Sequence, residues 1–236
     1  MKIQLLSCIT LCLLATPAMS ADVAKLETDK QKLSYAFGYN VGQKIKHEIS
    51  DLDEAAFAQA IHDAMTETAS RLSSAETQTI VADFQKKRQD EIQKAGEKNL
   101  KDGKDFLAAN KKKKGVVTLP SGLQYKIIKS AKGDKPTATD SVVAHYRGTL
   151  INGKEFDSSI TRGEPATFPV AGVIPGWQEV LPLMPVGSKW QVFIPSELAY
   201  GARGPGGLIG PNETLIFEIE LLKIVKAEAP AQPPAP

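Results

Sequence analysis

Proline is missing from residues 22–119 and recurs from Pro120 onward. No other feature limits the fold of this chain as much. A proline inside a helix removes a backbone donor and clashes with the turn before it, and a glycine loosens the helix. The first half, where glycine is also sparse, is free to be helical throughout; the second half is not. Hydrophobic periodicity agrees. Leu33, Phe37, Val41, Ile45 and Ile49 recur every four residues and predict a helix over residues 25–48 with one apolar stripe. Gly38 and Gly42 lie one turn apart beside that stripe, a spacing that favours close approach of another helix. A second helix is expected after Asp51 or Asp53, either of which is a good N-cap, with Phe57, Ile61, Ala64 and Met65 on one face. Ser73 followed by Glu76 fits a capping box. Helical propensity then runs to about Lys114, a length of roughly 60 Å at 1.5 Å per residue. The first turns of this third helix carry Ile80, Val81 and Phe84, but residues 85–104 are charged on nearly every face. That pattern reads as a solvent-bridging strut between domains. Two shorter helices broken near Gly96 or Gly103 are the alternative.

Two short helices and half of a long one bury little surface for an independent core. A second copy of the chain offers the missing surface, so residues 21–72 are expected to form a homodimer from which the long helices project. The formal net charge is +2, and division near Lys114 leaves two nearly neutral halves, so neither reads as a nucleic-acid binder. The run Lys111–Lys114 reads as a solvated helix end whose cations complement the dipole. A phosphate or membrane-surface patch is the weaker reading, because no aromatic or amphipathic partner accompanies the lysines. Residues 1–20 have the form of an export signal: Lys2, a largely apolar run over residues 3–15, then Ala18-Met19-Ser20 at the cleavage spacing. The run is too short to span a bilayer. Leu5-Leu6-Ser7-Cys8 as a lipid-attachment site is the alternative, and the short apolar region before Cys8 counts against it. Both cysteines, Cys8 and Cys12, fall in this segment, so the mature chain is expected to carry no disulfide and no thiolate metal site. The Ala/Pro-rich residues 227–236 are expected to be extended and disordered.

From Gly115 the period drops to two. Leu123-Gln124-Tyr125-Lys126-Ile127 alternates, residues 141–150 form a strand candidate, and Asn152-Gly153 is a strong hairpin turn. Residues 188–194 place Trp190, Val192 and Ile194 on one face. Residues 214–224 place Leu215, Phe217, Ile219 and Leu221 on one side, with Glu218 and Glu220 on the other. One short helix is expected between Gly176 and Leu183. Antiparallel strands with one covering helix make an α+β domain.

Hydrolytic chemistry finds little support. His47, His62 and His145 are scattered, no Cys/His or carboxylate spacing points to a metal, and no nucleophile elbow frames a serine. The glycine run over residues 203–207 precedes a strand instead of following one, so it reads as a loop and not as a phosphate cradle. What remains is a set of aromatic and aliphatic residues at strand and loop ends, with single polar groups among them. Val173-Ile174-Pro175-Gly176-Trp177 stands out, because Pro-Gly restricts the backbone just before a Trp. Taken alone, it reads as a core Trp beside a turn.

Taken together, Ser121-Gly122-Leu123-Gln124-Tyr125, Tyr146-Arg147-Gly148, Gly153-Lys154-Glu155-Phe156-Asp157-Ser158-Ser159, Val173 to Trp177, Ala199-Tyr200-Gly201 and Leu215-Ile216-Phe217 resemble, in order and spacing, the FK506-binding protein (FKBP) family of peptidyl-prolyl cis/trans isomerases. The resemblance covers residues 115–226. The export signal, the helical first half and Leu33-Ser34-Tyr35 are further similar to the macrophage infectivity potentiator (Mip) type, dimeric V-shaped FKBPs exported by Gram-negative bacteria. The resemblance implies a half-wrapped antiparallel sheet around a short helix. Its apolar pocket would be lined by Tyr146, Phe156, Asp157, Val173, Ile174, Trp177, Tyr200, Ile209 and Phe217. Trp177 would be the floor. The Ile174 N–H and the Tyr200 hydroxyl would hold the substrate carbonyls, and Asp157 would face the amide, steadied by Arg162. For each of three positions a purely structural reading stands beside this one: Asp157 as a pin for Tyr146 or Arg162, Tyr200 as a loop anchor, Phe217 as core. Three positions depart from the best-known small member: Ala166 replaces a Phe, Gly172 an acidic residue and Pro205 a His. The family implies no cofactor and no metal. Its partners would be proline-containing unfolded polypeptides, with FK506- or rapamycin-type macrolides as inhibitors, in the periplasm or at the outer-membrane surface. A chaperone that only docks such segments, and a role in host interaction, are the competing readings.

Overall fold

The computed structural model describes residues 25–49 and 51–226. The expected export signal, both cysteines and the Ala/Pro-rich tail lie outside the described residues. The chain divides into two compact units at Ser73 and Ser74.

The first unit holds α1 (Asp29–Glu48) and α2 (Glu54–Met65). α1 starts at Asp29, four residues later than periodicity alone indicates, because Thr28 caps it. The Thr28 hydroxyl accepts from the Gln31 N–H, and the Gln31 side chain reciprocates to the backbone of residue 28. Of the two candidate caps for α2, Asp53 is the one used, accepting from the Ala56 N–H at 2.9 Å. Asp63 is buried and anchors the turn after α2, accepting from Gln59 (2.7 Å) and from Arg71 Nε (2.8 Å). The stripe of Leu33, Phe37 and Val41 stays exposed, and Met65 is 81% exposed. No described helix is long and apolar enough to cross a membrane.

The second unit begins with α3 (Ser74–Asn110), one unbroken helix of 37 residues. Gly96 and Gly103 do not break it; they are buried contact points. A Cβ on Gly103 would overlap the Thr214 side chain, so the helix approaches that strand end as closely as a glycine allows. The strut reading is therefore corrected for the last turns of α3. There Phe106 meets the Phe193 ring at 5.9 Å, and the buried Asn110 Nδ2 donates to Gln124 Oε1 at 2.9 Å. Gln124 Nε2 in turn donates to the Leu107 carbonyl at 2.9 Å. Glycine and amide side chains carry this contact, so hydrophobic periodicity does not register it.

Seven strands follow: β1 (Val116–Thr118), β2 (Gln124–Lys129), β3 (Ser141–Leu150), β4 (Glu155–Ser158), β5 (Ala166–Pro169), β6 (Lys189–Ile194) and β7 (Leu215–Val225). They form one antiparallel sheet in the order β1-β2-β6-β7-β3-β4, with β5 also paired to β3. β7 buries Leu215, Phe217, Ile219 and Leu221, as its alternation requires. In β6 the alternation fails at Phe193, which is buried as well as Val192 and Ile194, because Phe106 of α3 covers the other face. A single turn, α4 (Ser159–Arg162), joins β4 to β5. The short helix α5 (Pro175–Val180) buries Trp177 and Val180 against the sheet's inner residues. The whole is α+β, with its core between α5 and one face of the sheet.

One buried carboxylate ties the two ends of the long central strands. Asp140 Oδ2 accepts from the Thr137 N–H (2.7 Å), the Thr137 hydroxyl (2.8 Å) and Lys226 Nζ (3.1 Å). The Thr137 backbone and hydroxyl bonds, ahead of Lys226, hold its pKa below the ordinary carboxylate value against the opposing effect of burial. The folded pKa is depressed, so the stabilisation is complete above the unfolded pKa of about 3.9 and is lost as pH falls through the lower folded value. Asp140→Asn is expected to flatten the acid limb of stability. Urea midpoints between about pH 5 and pH 2 should fall less in the variant than in the parent. The limb will not vanish, because Asp63, Glu155 and Asp157 shift the same way. Parallel limbs in the two proteins would contradict the assignment.

Candidate active site

The local sequence that aims Trp177 is a helix start and not a free turn. Ile174 is the N-cap of α5 and Pro175 occupies its first turn, where a missing N–H costs nothing. The Ile174 carbonyl accepts from the N–H groups of Trp177 (2.9 Å) and Gln178 (3.1 Å). Gln178 Nε2 reaches back to the Val173 carbonyl at 2.7 Å and so pins the preceding loop. Gly176 is required by packing, since a Cβ there would lie 2.5 Å from Ile194 Cγ2.

Trp177 is 4% exposed and stands edge-on to three rings: Tyr146 at 5.5 Å, Phe168 at 5.5 Å and Phe217 at 5.3 Å. Phe156 closes the set, 5.5 Å from Phe217. These perpendicular contacts set ring edges against ring faces, the favourable arrangement for aromatic pairs. Above them lies a hollow of about 520 Å³. All nine residues expected to line a pocket border it: Tyr146 from β3, Phe156 and Asp157 from β4, Val173 and Ile174 before α5, Trp177 within it, Phe217 from β7, and Tyr200 and Ile209 from the loop before β7. Tyr200 is 43% exposed, at the rim.

Phe168 and Gly172 also border the hollow; the sequence reading named Gly172 only as a departure from the family and did not name Phe168. Phe168 had a readable signal. It lies two residues beyond Ala166 in β5 and so shares its face of the sheet. Phe168, and not Ala166, borders the hollow, its ring 5.6 Å from Tyr146.

The polar part of the site is one connected group. The Tyr146 hydroxyl donates to Asp157 Oδ2 at 2.5 Å, Arg162 Nη1 donates to Asp157 Oδ1, and Arg162 Nη2 donates to the Tyr146 hydroxyl at 2.8 Å. The guanidinium carbon also sits 5.5 Å from the Tyr146 ring centre. Burial pushes the Asp157 pKa up, but the bonds from Tyr146 and Arg162 outweigh it and leave the carboxyl below its ordinary value. Burial, then the Asp157 bond, raises the Tyr146 phenol. The group is therefore an ionised carboxylate beside a neutral phenol, fixed at the edge of an aromatic hollow. Ser159 supports it from behind, its hydroxyl accepting from the Tyr146 N–H at 2.7 Å. Among the described residues no cluster of His, Cys, Asp and Glu is placed to hold a metal.

The Ser159 hydroxyl lies 3.1 Å from His145 Nδ1, but it is fully buried behind the site and bonded to the Tyr146 backbone, so no nucleophile faces the hollow beside a base. The site can enclose an apolar ring, exclude water and present a fixed charge, which are the properties of the FKBP class of isomerase domain. Comparison with known proteins agrees. A profile described as the FKBP-type peptidyl-prolyl cis-trans isomerase matches residues 132–222, and one for the domain amino-terminal to such isomerases matches residues 30–127. The outer membrane protein MIP of Legionella longbeachae is 47% identical over 232 residues, covering 96% of this chain and 100% of that protein. The peptidyl-prolyl cis-trans isomerase Mip of Coxiella burnetii is 42% identical, covering 91% of this chain and 94% of its own length. The crystal structure of FkpA from Escherichia coli superimposes with a TM-score of 0.62 at 37% identity, covering 86% of this chain and 100% of that one. The chain belongs to the FKBP-type peptidyl-prolyl cis-trans isomerases, and within them its relatives are the Mip and FkpA proteins.

Proposed function

We propose that the protein accelerates X-Pro isomerisation in exported polypeptides by desolvation and hydrogen bonding in the Trp177 pocket. The observation that carries this is the joining of the five aromatic rings Tyr146, Phe156, Phe168, Trp177 and Phe217 to the ionised Asp157 group in one hollow. An X-Pro amide must lose its resonance to twist, over a barrier of about 18–20 kcal/mol. Twisting reduces charge separation along the amide, so a dry aromatic pocket favours the twisted state over the planar, well-hydrated one. The substrate proline rests on Trp177, with Phe156 and Phe217 as neighbouring walls. The Ile174 N–H and the Tyr200 hydroxyl hold the flanking carbonyls. Both Asp157 oxygens are already engaged, so its field reaches the amide from a carboxylate fixed by Tyr146 and Arg162. The pinning and electrostatic readings of Asp157 are two aspects of one arrangement.

A protease-coupled assay on an Xaa-Pro peptide, with and without an FK506-type macrolide, tests this reading. Inhibitable acceleration is expected, and Asp157→Ala is expected to lower kcat/KM by about tenfold or more, on the order of 1.4 kcal/mol of transition-state stabilisation. No acceleration by the parent protein would refute the activity. Full activity in Asp157→Ala would refute the role given to that residue.

Residues 1–20 serve in this reading as the export signal and residues 21–72 as the homodimer contact, with residues 73–114 linking to an isomerase domain over 115–226. Placement in the periplasm or at the outer-membrane surface follows from the export signal. The exposed stripe of Leu33, Phe37 and Val41 supports the dimer, since a second copy of that stripe would cover it. The same apolar surface favours a chaperone activity beside the isomerase.

A further inference from the structure

We propose that the last turns of α3 position the outer loop of the pocket, with Asn99 and Asn212 as positioning residues for the isomerase reaction. The inference rests on the isomerase reading above. Residues 199–214 carry Tyr200 and Ile209, both on the pocket wall. Little regular structure holds this loop; Gly206 and Ile209 share one isolated bridge. Gly201, Gly204, Gly206 and Gly207 all have positive φ, so its backbone relies on residues with wide conformational freedom. Such a segment keeps one shape only if it is tied elsewhere.

The ties lead to α3. Asn99 Nδ2 donates to the Pro211 carbonyl at 2.9 Å, across 112 residues of sequence. Asn212 Nδ2 donates to the Gly96 carbonyl at 3.2 Å. Asn212 holds a left-handed φ of 55°, and its own N–H donates to the Gly201 carbonyl at 2.9 Å, next to Tyr200. A path of hydrogen bonds thus runs from the α3 backbone through Asn212 to the residue beside Tyr200. Pro211, held by Asn99, stands two residues from Ile209. Gly96 permits the approach, since a Cβ there would sit 3.3 Å from both Asn212 Nδ2 and Pro211 Cβ. Residues 96, 99 and 103 fall on one helix face at spacings of three and four. Each of them meets the segment 211–214. Neither the chemistry of the pocket nor the pairing of the strands involves the bonds made by Asn99 and Asn212. Its effect is to fix the loop that presents Tyr200.

The test uses Asn99→Leu, which removes the donor at similar size, and Asn212→Gly, which removes the side-chain tie but keeps the left-handed backbone. Amide hydrogen exchange of the full chain should accelerate by about tenfold or more over residues 200–210 while β3 and β7 keep their protection. KM for an Xaa-Pro peptide should rise by about fivefold with a smaller change in kcat. Asn99→Gln, which keeps an amide donor, should lie closer to the parent than Asn99→Leu. Unchanged exchange over residues 200–210, faster exchange spread evenly through β3 and β7, or an unchanged KM in both variants would overturn the proposal. If the parent protein has no isomerase activity, the function reading fails, and the exchange experiment still decides whether α3 holds the loop.

Discussion

Trp177→Ala is expected to destabilise the second unit by about 3–5 kcal/mol, a large share of the 5–15 kcal/mol typical of a whole domain. The size of the effect follows from position. Trp177 is almost wholly buried and touches Tyr146, Phe168 and Phe217 edge-on, so its loss removes one edge-on contact from each of three rings. Urea unfolding followed by far-UV circular dichroism should show a lower midpoint with little change in slope. Trp177→Phe keeps an aromatic surface and should cost less, which separates platform from core. A midpoint shift equivalent to less than about 1 kcal/mol in Trp177→Ala would mean that the residue is not the keystone of the ring cluster.

A single added methyl should reach the same pocket from behind. Gly148 lies in β3, opposite both Asp157 of β4 and Phe217 of β7. A Cβ there would fall 2.6 Å from Phe156 Cε2 and Cζ and 2.9 Å from Phe217 Cε1. Neither ring can stay where it is. Gly148→Ala is expected to cost about 1–3 kcal/mol of stability by overpacking. It should also lower kcat/KM by about tenfold, because the two displaced rings are walls of the site. Phe156→Leu in the same chain makes room for the methyl, so the double variant should be more stable than the sum of the single changes implies. Strict additivity, or unaltered kinetics in Gly148→Ala, would show that the rings move without consequence.

Elements whose burial is one-sided were legible in the sequence. β7 alternates cleanly because only one face meets the core; α1 was legible by its four-residue spacing, although Leu33, Phe37 and Val41 are exposed. The path of the second half of α3 was not legible. Its contact face consists of Gly96, Asn99, Gly103, Phe106 and Asn110, and a hydrophobicity pattern is blind to glycine and amide contacts. Phe193 was missed through the same gap, since α3 covers what a lone sheet would leave open. β4 and β5, at four residues each, are too short for a period to emerge. The site was legible chiefly through family resemblance, because its residues come from four strands, two loops and a helix and share no local signature. Phe168 lies in a strand of four residues, too short to show a period, although strand geometry places it on the face of Ala166. The Asp157–Arg162 contact was anticipated; the bond from Arg162 to the Tyr146 hydroxyl, which closes the group into a ring of three, was not.

The chain contains two tryptophans, and the structure gives them different surroundings. Trp190 is stacked on Tyr125 at 4.4 Å, whereas Trp177 lies under the hollow; neither indole N–H meets an acceptor among the described residues. In Trp190→Phe all indole emission therefore originates at the pocket floor. The protein then carries its own optical reporter, in which entry of a ligand is read as a change in the colour and intensity of the light from one ring.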